Sequence, residues 1–351
     1  MKKISQRDSN IELLRIIAMV MVLILHADFH ALGAPDAAEI VLKPMSSSLK
    51  VLLEVMSIGA VNIFVLISGW FTIKPSVKGF SAFIFQWLFF SIGTYVVSLL
   101  WGFSEISIKG FAKCFLLTDA PTYWFILSYI CLYLFAPVLN AFIKNSSKRE
   151  LLTVILSFFI FQTIYAFISG GADFLGKGYL KGYSALSFMG LYLLASYIKK
   201  YVDLTKISRC FYLYSYLVLS LILSFIFTVC NLVDMEPVTS RLLCYSNPLV
   251  IMSSLSLMLY FTQISFKSGF VNSIARSSFA VYLLHCSPFV YSCAYLPSIA
   301  NCSEKPLKII SVVVLWFVGA IFIDKIRLMV WNQISKYYMI PNRCGLNAKS
   351  L

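Results

Sequence analysis

Asn10-Ile-Glu12-Leu-Leu-Arg15-Ile-Ile-Ala-Met-Val-Met-Val-Leu-Ile-Leu-His26 opens the first apolar run of the chain. A helix needs about 20 such residues, at 1.5 Å each, to cross the ~30 Å of hydrocarbon in a bilayer. Blocks of that length recur along all 351 residues, and 60% of the chain is hydrophobic against 13% charged. A soluble domain has roughly 45–50% apolar and about 25% charged residues. The blocks are too long and too evenly apolar for the alternating strands of a membrane barrel. The expected fold is therefore all-α: a polytopic membrane helix bundle with about ten transmembrane helices, since only helices satisfy their own backbone groups in lipid.

Outward from that first block, spans are expected at 11–29, 50–73, 80–101, 123–143, 151–169, 184–199, 211–231, 246–264, 275–296 and 307–330, in a single membrane domain over 1–351. Loops are brief, and neither a repeat nor a low-complexity linker interrupts them. The formal charge of +14 resides between the spans. Because these basic residues form no cluster with interleaved aromatics, a nucleic-acid partner is not expected. Lys and Arg instead favour alternate loops, about two-thirds of them on the side that holds both termini, and this bias places both termini in the cytoplasm. Trp70, Trp101, Tyr123, Trp124, Tyr201 and Trp331 stand near span ends, as interfacial aromatics do. The first block ends without a small-residue cleavage pattern, so it reads as a span and not as a signal peptide.

Within the first span, Glu12 and Arg15 are three apart and can pair on one helix face. From Arg15 to His26 the helix turns through ~1100°, about 20° past three full turns, and rises ~16 Å. The two therefore share a face, Arg15 toward the cytoplasmic end and His26 toward the other. Lipid would make such a face costly, so it should line the bundle interior or a wet cavity. A cation at the cytoplasmic end can hold phosphates, and a histidine deeper in the cavity can take a proton from a hydroxyl. Equally, Arg15 can snorkel to headgroups and His26 can be capped at the interface.

The second span holds Asn62, which needs a partner in an apolar setting, and the small pair Ser68-Gly69, which permits close helix packing. Lys74 and Lys78 in the loop that follows can meet an anionic cosubstrate, or simply face solvent or lipid headgroups. Trp124 opens the fourth span as a belt residue or as a stacking platform for a sugar ring. Pro137 is expected to kink or end that helix. In the ninth span Tyr282 and His285 share a face, and a mid-membrane histidine is costly unless hydrogen-bonded. Asp324-Lys325-Ile-Arg327 suggests an ion cluster at the end of the last span. Nine cysteines show no metal-ligand spacing, and no metal is expected; a disulfide among Cys114, Cys244 and Cys302 is one option.

These segments, in order, resemble the acyltransferase-3 family of membrane acyltransferases, which includes many polysaccharide O-acetyltransferases. The family's acidic–Arg–ten residues–His motif is matched by Glu12, Arg15 and His26. Its Phe-Phe-x-x-Ser-Gly-aromatic element is similar to Ile63 through Trp70. Its Trp-Phe…Leu-Tyr-Leu…Pro element resembles Trp124-Phe125, Leu132-Tyr133-Leu134 and Pro137. Gly182-Tyr183-Ser184 with Leu191-Tyr192 is similar to the start of its sixth span, and Ser278 through His285 to its late Ser…Tyr-Leu-x-His element. Two departures stand out. Glu12 replaces an Asp common in the family, and the arginines many members carry after Ser-Gly are absent, leaving Lys74 and Lys78.

The resemblance implies that His26 is catalytic, with Arg15 and Glu12 in the same motif, and that Arg15, Lys74 and Lys78 bind the donor. That donor would be acetyl-CoA or another short acyl-CoA from the cytoplasm, a co-substrate and not a bound cofactor. The acceptor would be a surface polysaccharide or its lipid-linked precursor in a bacterial inner membrane, as in O-antigen and lipopolysaccharide modification. Asn62, Ser68, Trp124, Tyr282 and His285 are the candidates for contacting acceptor or oxyanion. His26 would deprotonate the sugar hydroxyl or first accept the acyl group itself. A transporter or flippase, or a polymerase for lipid-linked glycans, is the alternative class. Transporters of this size often carry repeated halves and matching broken helices, which this sequence lacks.

Overall fold

The computed structural model describes residues 8–116, 121–169 and 181–338, and these contain helices and no strand. Of the charges used to orient the chain, Lys2, Lys3, Arg7, Lys177, Arg343 and Lys349 lie outside the described residues. Seven helical stretches are long and apolar enough to cross a membrane: Ser9–Leu32, Pro44–Phe71, Val77–Leu100, Trp124–Asn145, Lys148–Ile168, Arg209–Leu232 and Pro306–Ser335. Each coincides with an expected span.

The other three expected spans are helical but short or broken. Ala185–Tyr201 has 17 residues and Pro248–Thr262 has 15, lengths of ~26 and ~22 Å against the ~30 Å of hydrocarbon. Both are heavily buried against neighbouring helices. The segment expected as one span over 275–296 is instead Ser278–His285, a π-helical turn at Tyr291–Tyr295 and Leu296–Ala300. Ser287-Pro288 accounts for the break: proline lacks the N–H that would continue the ladder and drives the residue before it out of the helical region. Pro137 does not act this way. The helix Trp124–Asn145 runs through it, a tolerance common in membrane bundles, where neighbours can meet the freed carbonyl.

We label the site-bearing helices α1 (Ser9–Ala27), α2 (Pro44–Ser57), α3 (Ala60–Phe71), α4 (Val77–Leu100), α5 (Trp124–Asn145), α6 (Ala185–Tyr201), α7 (Pro248–Thr262), α8 (Ser278–His285) and α9 (Pro306–Tyr338). Burial separates centre from rim. The apolar window of the α2–α3 stretch is 72% buried and that of the α1 stretch 61%, whereas that of α9 is 6% buried. The first two span regions are therefore core, and α9 stands at the rim with most of its apolar window outside the packed interior. α1 packs against α2, α3, α7, α8 and α9. Polar ties pin its backbone: Asn10 donates to the Phe261 carbonyl at 2.8 Å, and Tyr295 donates to the Leu23 carbonyl at 2.8 Å.

Two close approaches seat α3. A side chain at Gly69 would collide with the Tyr192 backbone of α6, and Ser196 donates to the Gly69 carbonyl at 2.8 Å. Small residues let membrane helices approach in this way. Beyond Gly69 the loop carrying Lys74 is tied at both ends of its first turn. The Tyr192 hydroxyl accepts from the Ile73 N–H at 2.8 Å and donates to Asn140 Oδ1 at 2.7 Å, while Asn140 Nδ2 donates to the Ile73 carbonyl at 2.8 Å. Tyr133 adds a third tie, accepting from the Ser76 N–H at 2.8 Å. The expected ion cluster forms within the bundle: Arg327 pairs with Asp324 at 2.7 Å, and Gln86 of α4 donates to the same carboxylate at 3.0 Å. Cys114, Cys244 and Cys302 are free thiols, so the disulfide option is not realised.

Candidate active site

Arg15 and His26 line one cavity of about 640 Å³. The eleven-residue register on α1 thus does what helix geometry requires, turning both side chains to a common interior face. The wall extends well beyond the first, second and ninth spans. Phe83 and Gln86 of α4, Trp124, Phe125 and Tyr129 of α5, and Tyr183, Tyr245 and Tyr291 from connecting segments complete it.

His26 is held from behind. Its Nδ1 lies 2.9 Å from Nε2 of His285, and Nδ1 of His285 is bonded to the Val281 carbonyl one turn earlier on α8. A carbonyl can only accept, so His285 Nδ1 carries the proton. In the neutral pair His285 Nε2 is then an acceptor, and the proton between the rings belongs to His26 Nδ1. This leaves the lone pair of His26 on Nε2. The arrangement is that of a general base fixed in one tautomer by a second group. Cys286 completes the buried cluster, its Sγ 3.4 Å from His26 Nδ1 and 3.2 Å from His285 Nε2. The three ligating atoms lie within 4.8 Å of one another, a set a metal ion could bridge. The 2.9 Å separation of the two nitrogens is itself hydrogen-bond geometry.

Around His26 the wall is aromatic. His30 packs on it with ring centroids 5.0 Å apart, and His30 Nδ1 lies 2.8 Å from the Tyr291 hydroxyl. The π-helical turn after Pro288 carries Tyr291 to this place; such turns are frequent at functional sites. Opposite stand Trp124, Tyr183 and Tyr245. Trp124 stacks on Tyr183 at 4.4 Å and 20°, and Tyr183 meets Tyr245 at 5.1 Å. One face of Trp124 is therefore taken by protein. Glu54 of α2 also lines the cavity, only 4% exposed, and its Oε2 has no hydrogen-bond partner among the described residues. Asp28, 7% exposed, lies behind it, likewise with one unpartnered oxygen.

At the Arg15 end a second cavity of about 590 Å³ begins. Arg15, Ser68, Phe83 and Tyr129 line both cavities, so the two meet at these residues. Lys74, Ser76 and Gly79 line only the second. Arg15 Nε is buried without a hydrogen-bond partner there.

The expected site residues thus divide. Arg15, His26, Ser68, Trp124 and Tyr282 line the first cavity, and Lys74 the second. Glu12 is buried one turn before Arg15 and lines neither; Lys78 is exposed on the first turn of α4 and lines neither. Asn62 is buried against the connecting segment, donating to the Tyr245 carbonyl at 3.0 Å. His285 is fully buried behind His26, not in the cavity wall. The Tyr282 hydroxyl donates to the Thr122 carbonyl at 2.7 Å.

Sequence reasoning passed over Glu54, Asp28, His30 and Arg276. A signal existed for the first two, since an acidic residue inside or at the edge of an apolar span is costly without a purpose. Tyr183 stood in the Gly182-Tyr183-Ser184 element with no role attached, and Tyr245 and Tyr291 had no signal, because only the fold brings these segments around His26.

A family model described as an acyltransferase domain, Acyl_transf_3, matches residues 8–325. No curated protein and no solved structure matches the chain. The match covers every residue that lines either cavity.

Proposed function

The chain belongs to the acyltransferase-3 family and is a multi-pass membrane acyltransferase, and on that premise we propose that it is an acyl-CoA-dependent O-acetyltransferase of the bacterial inner membrane, acting on a surface polysaccharide or its lipid-linked precursor. The observation that carries this reading is the single cavity holding Arg15 at one end and, at the other, His26 with its Nε2 lone pair free. The chain crosses the membrane ten times, in one domain, with both termini in the cytoplasm. The Arg15 end then faces the cytoplasm. The donor's phosphates rest near Arg15 and Lys74, and its pantetheine arm and thioester pass the junction toward His26.

His26 Nε2 takes the proton of the sugar hydroxyl as the oxygen attacks the thioester carbonyl. The Tyr282 hydroxyl lines the cavity and meets the developing negative charge by redirecting the proton it otherwise gives to the Thr122 carbonyl. The C–S bond breaks, and the departing thiolate recovers the proton from His26. His285 positions His26 and stabilises its protonated ring through the shared hydrogen bond. A route in which Nε2 is acylated first uses the same lone pair.

Proton NMR of the surface polysaccharide tests the reading. A strain lacking the gene is complemented with wild type or with His26→Ala at matched membrane levels. Acetyl signals restored by wild type alone are expected. Full restoration by His26→Ala would make His26 structural, and loss of glycan export instead of acetylation would replace this reading with transport.

A further inference from the structure

We infer that Glu54 binds the acceptor: its free carboxylate oxygen accepts a hydrogen bond from a ring hydroxyl next to the one acylated, so the acceptor is a pyranose with two neighbouring free hydroxyls. The inference rests on the glycan-acylating reading above and names the substrate class of that site.

Glu54 is 4% exposed, yet its side chain faces the same cavity as His26. Burying a carboxylate is expensive unless its oxygens are matched by donors. The protein supplies little. The Phe29 backbone interacts with the group, while Oε2 has no hydrogen-bond partner among the described residues. Lys50, the cation whose charge acts on both Glu54 and Asp28, directs its Nζ to the Leu32 carbonyl at 3.4 Å. Asp28 sits behind with its own unpartnered oxygen and does not line the cavity. It adds a like charge that makes an external donor at Glu54 more valuable.

The surroundings define the donor. Trp124, Tyr183, Tyr245 and Tyr291 line the cavity with Glu54. Aromatic rings offer broad apolar contact to the C–H face of a sugar, and one buried acceptor then selects a hydroxyl by position. A site built around such a hydrogen bond rejects an analogue lacking the hydroxyl, because the buried acceptor is then left unpaired. Two fixed points result: His26 Nε2 on the reacting oxygen and Glu54 on its neighbour.

The test uses the full-length protein in lipid nanodiscs, radiolabelled acetyl-CoA and a panel of alkyl gluco-, galacto-, manno- and rhamnopyranosides with their monodeoxy analogues. The pyranoside that wild type acetylates best serves as the acceptor. Glu54→Ala should raise the acceptor KM by about tenfold to a hundredfold while the acetyl-CoA KM changes less than about twofold. Glu54→Gln, which keeps one accepting oxygen, should fall between. One deoxy analogue should cost wild type a similar factor and cost Glu54→Ala nothing further, because both changes remove the same bond.

Penalties that add in full for every deoxy analogue, or a donor KM that rises in step with the acceptor KM, would overturn the assignment and leave the glycan reading intact. Acetyl-CoA hydrolysis that requires His26, with no pyranoside acetylated, would overturn both.

Discussion

The two ends of the main cavity are built in opposite ways. At the His26 end a chain of polar side chains is committed to fixed partners. His26 leans on His285, His285 on Val281, His30 on Tyr291 and Tyr282 on Thr122. At the Arg15 end the guanidinium Nε is unpartnered and Lys74 is exposed on a loop, although the loop backbone is firmly tied. Proton transfer needs one fixed geometry and gains from groups already in place. Holding a long polyanion needs charge within reach, and side chains that can adjust to it. On the proposed reading, chemistry belongs to the rigid end and capture to the open one.

Substitutions at four positions probe that contrast. His26→Ala should lower acetyl transfer by about a thousandfold, the middle of the range for losing a general base, at unchanged membrane abundance; activity near wild type would remove chemistry from the rigid end. His285→Ala should lower kcat by about a hundredfold through loss of the fixed tautomer, with little effect on the donor KM. An equal rise in donor KM would show instead that the whole cavity had loosened. Arg15→Ala should act on the other parameter, raising the donor KM about tenfold with a smaller change in kcat; Arg15→Lys should recover part of this, since a point charge replaces a planar fork. A kcat effect as large as that of His285→Ala would erase the proposed division of labour. The smallest effect belongs to the loop tie. Asn140→Ala should reduce stability by about 1 kcal/mol, seen as a lower thermal midpoint, and raise the donor KM a few-fold. An unmoved midpoint would mean the tie is idle.

Much of this division was legible before any coordinates. The eleven-residue interval from Arg15 to His26 follows from helix geometry, and the same arithmetic predicts the shared cavity. Gly69 as a packing residue follows from its size, and the Tyr192 backbone beside it gives the reason. Where the reading stopped short, the causes are specific. Hydropathy windows average over Ser287-Pro288, so the broken ninth span reads as continuous and the turn that carries Tyr291 to His26 does not show. Tyr282 and His285 share a face on α8, but a shared face does not say which residue meets the cavity. Neighbouring helices put Tyr282 in the wall and His285 behind His26. Glu54 stood in plain view in the second span and was passed over because it lies outside any motif.

Beside the junction between the cavities the wall is a cluster of stacked aromatics. Phe83 lies on Phe279 at 5.6 Å and 22°, Phe125 on Tyr129 at 5.6 Å and 19°, and Phe279 on Tyr282 at 5.7 Å and 27°. On the proposed reading, in which the donor enters from the cytoplasm and reaches His26 through two joined cavities, the protein contains, in effect, an unfinished channel. Its passage must admit a thioester arm yet deny protons and ions a continuous file of water, or each open site would drain the gradients that power the cell. Flat, weakly hydrated rings suit both demands, offering apolar contact to an acyl chain and few groups to hold a file of water. Thinning this cluster with Phe83→Ala should therefore register first as conductance, measurable as proton leak from loaded vesicles, in a protein whose purpose is synthesis.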